Sequence, residues 1–389
     1  MLARFLVAMS TAAVVAALFA GVATSAQAPA AGQAPAAAAD QKKPKTPKAW
    51  PPDAATLEKN RLEAEALPLF QGEEPVEFVL TADWKAVQRD RKVESKKLYP
   101  GTLAIVKDGV AGTPFPIQLR TRGHVRRNPR MCGFAPLRLE LPKDRTKGTI
   151  FEGHGKVKLG THCQNDGVYQ QYTLKDYLAN RLHNTLTPRS LRARLAKVTY
   201  AETAGGKEPY TKLGIVFEDV DDMAARAGAR ELPVPRQMFQ YVDQRQLLFM
   251  SMFQYMIGNT DYSILALHNV IMLDDAKGVR LTVPYDFDYS GLVDAHYAAA
   301  VKELNLSSVR DRLYRGPCKS EAEVNEALAP FREKQAELLA LPATLTKYGL
   351  NEGERKDAEK YLNEFFELLN RPDRVTRTFV TDCKPVGGM

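Results

Sequence analysis

The sequence predicts an α+β chain of two lobes, strand-rich first and helical afterwards. Three observations carry that reading. From near residue 55 to about 220 the signals are mostly strand, several of the runs alternating apolar and polar residues with period 2. Past position 220 the apolar spacing turns helical, apart from one short hairpin. The chain has 389 residues, 44% of them hydrophobic, which suffices for one large domain or two smaller lobes with a real core.

Residues 1–28, MLARFLVAMSTAAVVAALFAGVATSAQA, hold one arginine, a long apolar run and small residues at the end. That is the pattern of a secretory signal peptide, cleaved after Ala26 or Ala28. An uncleaved anchor is the competing reading, because residues 5–23 are almost long enough to span a bilayer. Residues 29–54 are mostly Ala, Pro and Lys and cannot bury enough surface to fold, so a disordered linker is expected. Removal of the leader leaves an exported protein, periplasmic or secreted, with no stable membrane insertion.

Five strands are expected before the first long helix. VEFVLTA (76–82) is a short apolar run, and TLAIVKDG (102–109) alternates into a glycine turn. FPIQLRTRG (115–123), APLRLEL (135–141) and KVKLGTH (156–162) each alternate with period 2. Then YQQYTLKDYLANRLHNTL (169–186) places Leu174, Tyr177, Leu178 and Leu182 at helical spacing. LAKVTYAETAGGKEPYTKLGIVFED (195–219) reads as a hairpin turning at Gly205-Gly206. Asp219, Asp221 and Asp222 suit a helix N-terminus.

RQMFQYVDQRQLLFMSMFQYMIG (236–258) reads as one long buried helix, its methionines part of the core. NVIML (269–273) and VRLTVP (279–284) are two short strands. The tail is helical over 320–342 and 351–370. No internal repeat is visible.

Four cysteines, Cys132, Cys163, Cys318 and Cys383, form an even set in an exported chain, so two disulfides are expected. Proximity in sequence suggests Cys132–Cys163 and Cys318–Cys383, among three possible pairings. No CxxC or tight Cys/His cluster points to structural zinc. The net charge is +8, and residues 111–147, with nine Arg/Lys against Glu140 and Asp144, carry nearly all of it. Such a patch fits a phosphate or polyanion partner, or else a solvated basic surface. Nothing resembles a nucleic-acid module, so no nucleic acid partner is expected.

Two segments hold the dense polar chemistry: GNTDYSILALHN (258–269) and PYDFDYSG (284–291). A hairpin joins them and brings its ends together, so Asp261 and Asn269 should lie beside Asp286 and Asp288. Three carboxylates and an amide at one mouth repel each other unless a cation or proton sits among them. Hard oxygen donors of this kind suit Mg²⁺, Mn²⁺ or Ca²⁺. A loop aspartate after a buried helix, an asparagine further on, and an Asp-Phe turn after a hairpin is the layout of a phosphotransferase.

Across roughly residues 75–300 the chain resembles the CotH kinase family, the spore-coat-protein-H-like atypical kinases. The resemblance rests on LRTRGHVRRN…APLRLEL, KLGIVFEDVDD, GNTDYS…HNVIML and VPYDFDYSG. It implies a two-lobed protein-kinase-like fold, with 55–220 as strand-rich N-lobe and 221–389 as helical C-lobe. It further implies bound ATP with Mg²⁺ or Mn²⁺, and transfer of the γ-phosphate to a protein hydroxyl. On this resemblance Asp261 is the catalytic-loop aspartate. Asn269 and Asp286 are metal ligands, with Asp288 either a third ligand or a cap. Glu218 lies near the nucleotide, and Arg120 and Arg122 near its phosphates. Lys158 is the phosphate-pairing lysine, with Lys156 competing for that role from the same face of the strand. An exported binding or structural protein on a catalytically degenerate scaffold is the alternative.

Other residues in these segments have plain structural readings. Phe287 is read as a core plug, His268 as structural, and Arg126, Arg127 and Arg130 as solvated.

Overall fold

Each alternating run forms a strand, and seven of the strands close on themselves. The computed structural model describes residues 49–383; the expected signal peptide, most of the linker and residues 384–389 lie outside them. The first strands are β1 (Val76–Ala82), β2 (Tyr99–Lys107), β3 (Val110–Ala111), β4 (Phe115–Thr121), β5 (Leu137–Glu140), β6 (Lys156–Gly160), β7 (Ala193–Glu202) and β8 (Tyr210–Phe217). Their order is β1-β7-β8-β6-β5-β4-β2, and β1 pairs with β2 to complete the ring, while β3 folds back on β2. β1 and β7 run parallel; the other neighbours run antiparallel.

This closed barrel overturns the expected two-lobed protein-kinase-like fold, although the mixed α+β content stands. An open N-lobe sheet has two edge strands. Here β1 is hydrogen-bonded on both sides, so the seven-strand ring has no edge. The period-2 pattern only demands one buried face, which a closed and an open sheet satisfy equally. The barrel interior is filled by alternate side chains, among them Phe78, Leu80, Leu103, Leu119, Leu139, Leu159, Val198 and Val216, with Phe151 added from a loop. Each such side chain contributes about 1.5–3 kcal/mol by leaving water. Gly101 sits at the closing seam, opposite Ala82 on β1 and Ile117 on β4. A Cβ there would lie 2.8 Å from the Thr81 carbonyl, so only glycine lets the strands meet.

The helices are α1 (Ala54–Glu65), α2 (Trp84–Arg89), α3 (Lys143–Thr146), α4 (Gly167–Leu186), α5 (Val220–Arg226), α6 (Gln244–Ile257), α7 (Glu321–Glu333), α8 (Gln335–Thr344), α9 (Glu352–Leu369) and α10 (Pro372–Thr376). A second, three-stranded sheet is ordered β11 (Arg280–Pro284), β10 (Val270–Asp275), β9 (Ala229–Glu231). α4 lays Leu174, Leu178 and Leu182 against Leu195 and Ile215 on the outside of β7 and β8. The other side of that core is α6 with Leu248, Met252 and Phe253, then Phe331, Phe365 and Phe366 from α7 and α9. All these elements fall within one compact unit.

The long helix expected over 236–258 begins only at Gln244, because Asp243 caps it by accepting a hydrogen bond from the Gln246 amide. Its expected first turns are instead irregular, with a single 3-10 turn at Phe239–Tyr241. Asp219 caps α5, and Asp221 and Asp222 occupy its first turn, as expected. Both disulfides form, Cys132–Cys163 and Cys318–Cys383, consistent with an oxidising, exported environment. Among the described residues no helix is long and apolar enough to cross a membrane.

Candidate functional site

Backbone hydrogen bonds tie the two polar segments together. α6 ends at Gly258 in a left-handed conformation (φ 63°). The Gly258 carbonyl accepts from the Gly291 amide at 3.0 Å, and the Ile257 carbonyl accepts from the Leu292 amide at 3.0 Å. Buried Asn259 turns the chain: its side-chain oxygen accepts from the Asp261 amide at 3.0 Å, and its side-chain amide donates to Gln254 at 3.0 Å. Phe287 is a core plug, as expected, its ring edge-on to Phe253 at 5.3 Å.

The stretch from Asp261 to Asn269 closes on itself. Ser263 and His268 exchange both backbone hydrogen bonds, at 3.0 Å each. Asn269 therefore returns to Asp261, and its Nδ2 donates to the Asp261 carbonyl at 2.7 Å and to Oδ2 at 3.0 Å. The β10–β11 pairing sets Val270 opposite Pro284, and the Tyr285 amide donates to the Asn269 carbonyl at 3.0 Å. Asp286 is the next residue, so the hairpin does bring Asp261, Asn269 and Asp286 to one mouth. Leu267, Asn269 and Asp286 all have positive φ, at 51°, 54° and 63°. Side chains other than glycine adopt that region at a cost, and such strain clusters at functional sites.

A basic loop reaches into this mouth. Arg126 Nη2 is 3.2 Å from Asp286 Oδ1, and its Nε is 3.8 Å from Asp288 Oδ2. The loop is held from several sides. Arg127 is buried and donates to the Thr121 carbonyl at 2.6 Å and also to the Lys92 carbonyl. Arg91 donates to the carbonyls of Cys132 at 2.7 Å and Gly133 at 2.6 Å. The Cys132–Cys163 bond fastens the loop's end to the chain just beyond β6. Arg126 and Arg127 are therefore not the solvated residues expected of them; the paired and carbonyl-bound geometry removes them from water.

The charges act on one another. Burial pushes Asp288 up, Arg126 pulls it back, Asp286 raises it, Tyr297 lowers it through a 3.2 Å hydrogen bond, and Asp261 raises it; the result is about 6. Asp176 on α4 is also buried, and burial followed by the Asp288 charge holds it well above the usual carboxylate range. Arg126 loses by burial but gains more from Asp288 and Asp286, so it stays charged. His268, expected to be structural only, contacts Asp261 Oδ1 at 3.0 Å, and that hydrogen bond raises its pKa. Arg126, Asp176, Asp288 and Tyr297 also line a small, partly open pocket of about 10 Å³, room for a single water.

The remaining predicted residues separate into two groups. Arg122 lies near Asp286: burial lowers its pKa and Asp286 offsets this. Lys158 lies near Arg122, and burial and then Arg122 lower its pKa. Strand register sets Arg120, Arg138 and Lys158 directly opposite one another across β4, β5 and β6. Like charges so placed are unfavourable. Among the described residues Arg120, Arg122 and Lys158 form no ion pair. Lys156, by contrast, is held by Asp219 at 3.1 Å and Asp221 at 2.9 Å. Glu218 is fully buried, with both oxygens engaged by Arg192 and Arg226 at 2.9 Å each.

Arg126, Asp176, His268 and Tyr297 were not singled out as site residues from the sequence. Only the density of arginine near Arg126 was a signal. Among the described residues no three His, Cys, Asp or Glu side chains are arranged to hold a metal ion. The donor chemistry nevertheless fits a hard divalent cation. Asn269 spends its Nδ2 on Asp261, and among the described residues its Oδ1 accepts no hydrogen bond. The Asp286 side chain is 44% exposed, and among the described residues one of its oxygens is unengaged. Burial first, and then the neighbouring carboxylates, hold Asp288 and Asp176 up, so acidic groups are concentrated here beside Arg126. No protein-family model matches the chain, and no curated protein matches it.

Proposed function

We propose that the protein is an exported phosphotransferase that moves the γ-phosphate of ATP to a protein hydroxyl with Mg²⁺ or Mn²⁺. The observation that supports this most is the meeting of Asp261, Asn269 and Asp286 at one mouth, beneath a basic face. The resemblance to the CotH kinase motifs points the same way. When bound, the divalent cation neutralises charge on the transferring phosphate.

Asn269 Oδ1 and the Asp286 carboxylate would hold that cation, with Asp288 behind them. Arg122 and Lys158, which form no ion pair among the described residues, would screen the phosphates. Asp261, oriented by Asn269 and His268, would accept the proton of the acceptor hydroxyl.

The test is incubation of the mature protein with γ-labelled ATP and Mn²⁺. Label should appear on the protein or an added protein acceptor, and Asp261→Ala should abolish it. Equal labelling of wild type and variant rules the reading out. A second reading, an exported binding protein without catalysis, is favoured by one observation: Arg126 already neutralises Asp286 and Asp288. It predicts no transfer and no ATP binding under any cation.

A further inference from the structure

We propose that Arg126 is an internal counter-ion that competes with the divalent cation for Asp286 and Asp288. This rests on the reading of Asp286 as a cation ligand. The sequence suggested only a solvated arginine. In the structure its side chain is 18% exposed and its guanidinium contacts both carboxylates, at 3.2 and 3.8 Å. Asp288 is 5% exposed. A buried carboxylate is costly as an anion unless a positive charge stands beside it, and otherwise takes a proton, so a neighbouring cation favours the ionised Asp288. Arg126 supplies that charge while no metal is bound.

The loop geometry makes this a fixed contact rather than a wandering surface chain. Arg127, the next residue, is anchored on the Thr121 carbonyl at 2.6 Å. Arg91 and the Cys132–Cys163 bond fix the loop's far end. The Arg126 backbone is therefore held, and only its side chain can yield. A divalent ion entering at Asp286 must displace the guanidinium from Oδ1, and the two positive charges repel each other at that range. Arg126 thus sets a threshold: the site stays closed to weakly held cations and opens to one that brings more than a single charge.

The test is calorimetric titration of Mn²⁺ alone, without nucleotide, into wild type, Arg126→Gln, Arg126→Lys and Asp286→Asn. Arg126→Gln should bind Mn²⁺ at least tenfold more tightly than wild type, with Arg126→Lys between them. Its melting temperature without Mn²⁺ should fall, and Mn²⁺ should raise that temperature by more than in wild type. A purely structural arginine would lower the melting temperature but leave the Mn²⁺ affinity unchanged. If wild type binds Mn²⁺ through Asp286 and Arg126→Gln binds no more tightly, the counter-ion proposal falls and the phosphotransfer reading survives. If no protein binds Mn²⁺, or Asp286→Asn binds as wild type does, both fall.

Discussion

Replacing Gly258 with alanine tests whether the two polar loops are locked together at a single packed point. Gly258 is left-handed, at φ 63°. An alanine in that conformation costs about 1–2 kcal/mol. Its Cβ would also fall 1.9 Å from the Tyr361 hydroxyl and 3.0 Å from the ring carbon that carries it. Tyr361 has little room to retreat. It is buried, its hydroxyl donates to the Arg310 carbonyl at 3.0 Å, and its ring lies under Arg310 at 4.7 Å and Arg312 at 3.7 Å. Overpacking of this kind adds about 1–3 kcal/mol. Gly258→Ala should therefore destabilise the protein by about 3 kcal/mol, read as a lower urea midpoint with unchanged slope. Tyr361→Phe removes the obstructing oxygen at a cost of about 1 kcal/mol for its hydrogen bond. The double variant should then be less destabilised than the sum of the singles, by about 1 kcal/mol. Gly291→Ala is the control. Its Cβ meets the Tyr361 hydroxyl at 2.3 Å but also the Arg310 Cα and the Val309 carbonyl at 2.9 Å, and backbone does not yield to Tyr361→Phe. Additive effects in the Gly258 pair, or wild-type stability of Gly258→Ala, would refute the packing argument.

Three further outcomes follow from the same geometry. Glu218→Gln leaves the guanidinium groups of Arg192 and Arg226 short of their buried counter-charge and should lower stability by about 3 kcal/mol or more, measured by urea unfolding. Burial pushes His183 down to about 3 and His162 down to about 4. Both take a proton in the unfolded chain below about pH 6.5 but not in the folded one, so stability should fall as pH drops from 6.5 towards 4, by up to about 1.4 kcal/mol per unit for each. His183→Phe, which keeps the stack on Phe253, should flatten that slope in urea midpoints taken at pH 7, 6 and 5. Cys318 and Cys383 are 65 residues apart, so replacing both with serine should cost about 4 kcal/mol through the longer freedom of the unfolded chain.

Local structure was legible where a period or a cap decided it. The alternating runs from Val76 to Phe217 are strands, and Leu174, Tyr177, Leu178 and Leu182 do mark a helix. The start of α6 was not, because Met238, Phe239 and Tyr241 extend its apolar run while Asp243 caps the helix after them. Barrel closure was not legible either. It depends on β1 pairing not only with its sequence neighbour β2 but also with the distant β7, where Val76 lies opposite Ala196, and alternation is silent about which strands meet. Gly101, a glycine inside a strand, was the one local trace of the seam.

The site divides in the same way. A hairpin must return to where it began, so the nearness of Asn269 and Asp286 followed from β10 and β11 alone. Arg126 and Asp176 reach the site through the barrel loop and α4, whose approach depends on the tertiary fold. Lys156 and Lys158 share a face, and only the position of α5, with Asp219 and Asp221 beside Lys156, tells them apart.

The most direct measurement is the thermal shift produced by ATP with Mn²⁺ in wild type and in Asp286→Asn. A cation and its phosphates shared between Asp286 and the Asp261–Asn269 loop should raise the melting temperature of wild type and leave that of the variant unmoved. An equal shift in both proteins, or none in either, would contradict a shared cation site and the phosphotransfer built on it.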